Sequence, residues 1–130
     1  MKSIYLILFF AFVCFSSQSA VGGYQKLDPE RVYKDAAAKE ALNFGAKALI
    51  VKAIYTNKIP NDGKYDVRKV ISAAKQIVAG TNYKFEVKIE NAKRTAEIYA
   101  KYIVFQNIEG EYSLISSFFQ VKKRETVIVR

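Results

Sequence analysis

Few residues of this chain could do chemistry. It contains no histidine, and its one cysteine, Cys14, lies in an apolar leader. Ser-His and Cys-His nucleophilic machinery, a histidine general base and zinc sites built on imidazole or thiolate are thereby excluded. Twelve Asp and Glu residues remain, and none stands in an apolar stretch that would raise its pKa for acid catalysis. The sequence predicts no catalytic residue, no metal ligand and no cofactor, so an enzyme is not expected. What is left is surface recognition, and one stretch offers it. Gln76-Ile77-Val78-Ala79-Gly80 lies between two runs that read as β-strands. Hairpin tips are normally polar, whereas this one would expose Ile77 and Val78. An apolar loop held out on a rigid sheet can fill another protein's cleft. The same residues also read as plain strand, with the turn falling later, near Thr81-Asn82. The surrounding elements decide between the two.

The leader comes first. Lys2 precedes an apolar run from Ile4 to Phe15, followed by Ser16-Ser17-Gln18-Ser19-Ala20. This is the pattern of a secretory signal peptide, and the run falls short of the roughly 20 residues a membrane span needs. Cleavage after Ser19 puts small residues at both required positions, whereas cleavage after Ala20 would put Gln18 in one of them. The expected organisation is a signal peptide over 1–19 and one secreted, extracellular domain over 20–130. With Cys14 removed, that domain has no disulfide and must be held by packing alone, which favours a helix-on-sheet layer. Losing Lys2 takes the formal charge from +9 to +8, so a polyanion or an anionic membrane surface is conceivable as a partner. The basic residues are scattered, with one cluster at Lys122-Lys123-Arg124. No nucleic-acid motif accompanies them, and neither a nucleic-acid partner nor stable membrane insertion is expected.

The elements that must position the loop follow in order. Val21-Gly22-Gly23 makes a flexible lead-in to a short edge strand, Tyr24 to Leu27. Asp28-Pro29-Glu30 reads as a helix start. One long amphipathic helix is expected from there to about Tyr55–Asn57. Its core stripe is read as Ala37, Ala41, Phe44, Ala48, Val51 and Tyr55, flanked by Leu42 and Leu49, with the small residues and Gly45 allowing close approach to a sheet. Ile59-Pro60-Asn61-Asp62-Gly63 then turns the chain. Tyr65 to Ala74 is a first long strand. Tyr83, Phe85, Val87 and Ile89, alternating with charged residues, form a second. Ile98 to Phe105 and Tyr112 to Val121 complete a meander, with a turn at Asn107-Ile108-Glu109-Gly110-Glu111. The tail Thr126 to Arg130 is apolar enough for an added edge strand but is not assigned. The predicted fold is α+β: one long helix wrapped by a four- to five-stranded antiparallel sheet. Alternate turns of a meander project from one end. The Gln76–Gly80 tip and Asn107-Ile108 should therefore meet there, with the N-terminal segment beside them.

With that order in place, the sequence resembles the cystatin family of papain-like cysteine protease inhibitors. Gln76-Ile77-Val78-Ala79-Gly80 matches the family's Gln-x-Val-x-Gly loop in full. Ala74-Lys75 and Thr81-Asn82-Tyr83 resemble its flanks, Val21-Gly22-Gly23 the N-terminal glycine element, and Leu42-Asn43-Phe44-Gly45-Ala46 the helix. Asn107-Ile108 stands where the family has Pro-Trp, and the disulfides of its secreted branch are absent. The resemblance implies a reversible, non-covalent inhibitor. Its protease-binding residues would be Val21, Gly22, Gly23, Gln76, Ile77, Val78, Ala79, Gly80, Asn107 and Ile108. It also implies papain-like cysteine proteases as partners. A basic cystatin-fold protein binding polyanions or membrane surfaces, without inhibition, is the alternative. A second inhibitory site at Asn61, toward asparaginyl endopeptidases, competes with a plain turn. The expected state is a monomer, with exchange of the helix and first hairpin as a route to dimers.

Overall fold

The computed structural model describes residues 23–61 and 63–123. Val21, Gly22, the leader, Asp62, Arg124 and the 126–130 tail lie outside them. Five strands, β1 (Gln25–Leu27), β2 (Tyr65–Val78), β3 (Gly80–Asn91), β4 (Ala96–Gln106) and β5 (Tyr112–Lys123), and one long helix, α1 (Ala36–Tyr55), follow the expected order. The strands form one antiparallel sheet in the order β1-β2-β3-β4-β5, and α1 covers one face. This is the predicted α+β layer. No helix among the described residues is long and apolar enough to cross a membrane.

The helix starts later than the sequence suggested. Asp28-Pro29-Glu30 opens a separate 3₁₀ turn, Pro29–Lys34, with the Asp28 carboxylate accepting from the Glu30 amide at 3.1 Å. The chain then extends at Asp35 (φ −100°, ψ 112°), whose carboxylate accepts from the amides of Ala37 and Ala38. Asp35 is the true N-cap of α1. The break lets Val32 turn inward, where it is fully buried.

The core stripe of the helix is also displaced. Ala38, Ala41, Leu42, Gly45, Ala46, Leu49 and Ala53 face the sheet, while Phe44, Val51 and Tyr55 are exposed. The reason is complementary size. β3 and β4 fill the layer with Tyr83, Phe85 and Tyr102: the first two rings are stacked with centroids 6.2 Å apart, and the second and third are tilted by 50° at 5.6 Å. Where aromatic side chains already crowd the face, the helix answers with Ala and Gly, and Leu42 and Leu49 fill the remaining space. The tightest contact is at Gly45, where a Cβ would lie 2.3 Å from the Tyr102 ring and 2.8 Å from Val104. The Tyr102 hydroxyl, buried, donates to the Leu42 carbonyl at 2.7 Å and ties the sheet to the helix one turn before that glycine. Burial pushes the phenol's pKa far up, so it remains a donor at any ordinary pH.

Gly45→Ala should therefore cost about 3 kcal/mol through overpacking, lowering Tm by on the order of 15 °C in thermal unfolding. Tyr102→Phe keeps the ring and loses only one hydrogen bond, for about 1 kcal/mol.

Candidate functional site

The site is built at the end of the sheet where β1 begins, β2 turns into β3 and β4 turns into β5. The β2–β3 turn is tighter than expected. Pairing continues through Gln76↔Asn82, Ile77↔Thr81 and Val78↔Gly80, leaving Ala79 alone at the apex. Gln76 to Val78 are thus strand residues, and the turn falls neither after Ala74 nor at Thr81-Asn82. Strand pairing does not bury them: Ile77 is 65 % exposed and Val78 45 %. The two readings of this stretch were compatible, because the strands extend beyond the layer that the helix covers.

Gly80 makes the tight turn. Its φ of +125° lies where side-chain-bearing residues are strained. A Cβ there would also sit 2.6 Å from the Gln106 carbonyl oxygen and 2.6 Å from the Phe105 ring. The tip is thus pressed against β4. Across its base the Asn82 Nδ2 donates to the Gln76 side-chain oxygen Oε1 at 3.0 Å, fixing the Gln76 side chain on the sheet.

The β4–β5 turn reaches the same end, since Thr81 pairs with Gln106 and Gln106 with Tyr112. Its two candidate residues divide the work. Asn107 shapes the turn: its Oδ1 accepts from the amides of Glu109 and Glu111 at 2.9 and 2.8 Å, and its Nδ2 donates to Glu111 at 2.9 Å. Its backbone adds an amide bond to the Glu111 carbonyl. Ile108 makes no such contact and is 85 % exposed. Asn107 is the scaffold and Ile108 the surface it presents.

β1 pairs Gln25 with Lys75 and Leu27 with Ala73, so the chain before Gln25 leads toward Gln76–Val78. Gly23 lies there, exposed. The sequence reading missed Tyr24. The Lys84 ammonium lies 4.3 Å above its ring centroid, a cation–π contact that fixes the first residue after the glycines. Only the register of β1 against β2 and β3 brings the two together. Asn61 is exposed in the turn at the opposite end of the sheet and is not part of this ridge.

Here Ile77, Val78, Ile108 and Gly23 meet at one end of a sheet laid over one helix. Residues 32–125 match the cystatin domain. The chain belongs to the cystatin family. A comparison with curated proteins finds no significant match. The family is generally inhibitory rather than catalytic. Among the described residues no group of three or more His, Cys, Asp or Glu could hold a metal ion.

The division of labour in the β4–β5 turn can be measured. Asn107→Ala should cost about 1 kcal/mol and speed hydrogen exchange at the Glu109 and Glu111 amides, whereas Ile108→Ala should leave stability within about 0.5 kcal/mol of the parent.

Proposed function

We propose that this cystatin is a secreted, reversible, non-covalent inhibitor of papain-like cysteine proteases that occludes their active-site cleft. The observation that carries the proposal is the placing of Ile77, Val78 and Ile108, all strongly exposed, at one end of the sheet. Exposed aliphatic side chains gathered on one ridge favour a partner that desolvates them. In this reading the Gln76–Gly80 hairpin enters the middle of the cleft and Ile108 one side. The N-terminal segment enters the other, with Val21 in an apolar subsite. Gly22 and Gly23 let the chain bend away before a peptide bond reaches the catalytic cysteine. No residue of the ridge is a nucleophile, so inhibition is by occlusion.

Two features support tight binding without a tryptophan in the second turn. The hairpin is braced by Gly80 against β4 and by Asn82 against Gln76, and Asn107 holds the second turn. Little conformational entropy is then lost on docking. Two of the basic residues that a polyanion would use already have partners: Lys84 lies over Tyr24 and Lys88 is paired with Glu97 at 3.7 Å.

Titration of a papain-like protease with the secreted form should give full, reversible inhibition. Val78→Asp should raise the inhibition constant by roughly 30-fold, and removal of Val21 and Gly22 by about tenfold or more. Inhibition should change little between low and high salt, whereas charge-driven binding would collapse. Full protease activity at excess unmodified protein would overturn the reading.

A further inference from the structure

The two edges of the sheet are unequal. β1 is three residues long, whereas β5 runs for twelve and, among the described residues, has a strand on one side only. Tyr112 through Val121 contains no charge, no proline and no glycine, which are the usual devices that keep an edge from pairing. One irregularity, between Ile103 and Val104, bends its first third, and from Ser116 to Lys123 the register is unbroken.

Beside this edge lies the apolar helix flank that the core does not use. Phe44, Ala48, Val51 and Tyr55 share it by their spacing. The Phe44 ring lies 5.8 Å from Tyr112 at the start of β5, so the flank is on the β5 side. Helix and strand both begin at the ridge end, since Tyr112 pairs with Gln106 while α1 leads through one turn to Tyr65 opposite Asn91. The stripe therefore starts beside the first residue of β5 and continues from there toward the far end of the helix. Val51 is 59 % and Tyr55 85 % exposed, and Leu114, Phe119 and Val121 of β5 are only partly buried. A further strand here would bond to the β5 backbone and turn alternate side chains onto the stripe.

We propose that the occupant is β5 of a second copy, paired antiparallel in a reversible dimer with one continuous sheet. Charge selects both the partner and its direction. Exposed Glu109 and Glu111 stand at one end of β5 and exposed Lys122 at the other. Antiparallel overlap of the full strand sets the acidic end of each copy against the basic end of its mate, whereas parallel pairing would place like charges together. The second copy also brings an uncharged run of equal length and its own Leu114, Phe119 and Val121. The two ridges then point in opposite directions. The dimer does not rest on the inhibitor reading.

Sedimentation velocity of the secreted form alone, from micromolar to millimolar concentration, should show a monomer–dimer equilibrium that reverses on dilution. Val51→Glu, at an exposed helix position that a single chain tolerates, should weaken the dimer about tenfold or more. Glu109→Lys alone should weaken it, and Glu109→Lys combined with Lys122→Glu should restore it. A monomer at every concentration would overturn the proposal. So would a dimer that persists on dilution and ignores these substitutions, which is the behaviour of hairpin exchange.

Discussion

The close approach of α1 to the sheet at Gly45 is the contact on which the rest depends. A domain of this size with no disulfide has only packing to set the distance between its two layers. That distance is fixed where the Tyr102 ring occupies the space of the missing Gly45 side chain and its hydroxyl bonds to the Leu42 carbonyl. The aromatic rings come from the strands, and the helix meets them mostly with Ala and Gly, with Leu42 and Leu49 filling the rest. Had both faces been large, the helix would ride higher and leave Phe85 and Tyr102 partly wet. Had both been small, cavities would remain.

From that contact the ridge inherits its rigidity. β3 and β4 are held flat against α1, and β2 and β3 extend past the covered layer into solvent. Beyond it, stiffness comes from local devices: Gly80 pressed on the Gln106 carbonyl, the Asn82–Gln76 side-chain hydrogen bond, and the Asn107 side chain folded into its own turn. Each holds backbone in place and leaves the aliphatic side chains free. An exposed Ile108 on a turn fixed by Asn107 presents less area than an aromatic ring would, so the hairpin carries most of the apolar surface.

The same geometry leaves the β5 side of the molecule open. Because the helix meets the sheet through small residues on one face, its larger side chains are turned onto the flank beside β5. An edge strand uncharged from Tyr112 to Val121 and the helix flank that begins at Phe44 are thus adjacent for a reason that begins with Tyr102.

The sequence by itself determined the number and order of the elements and the family resemblance. Strand alternation, turn residues and the lack of histidine are local properties and need no partner to be read. Tertiary structure alone decided which helix face is core. The period of the pattern was legible, but Phe44, Val51 and Tyr55 read as core stripe until the sheet's own aromatics claimed that space. It also decided that Asp35, rather than Asp28, caps the helix, since both residues carry the signal and only the burial of Val32 selects between them. The five residues from Gln76 to Gly80 were legible as a motif, yet strand and tip looked like alternatives. They are both, because how far a hairpin outruns its helix depends on where the layers lock, and that is set by a contact far away in sequence.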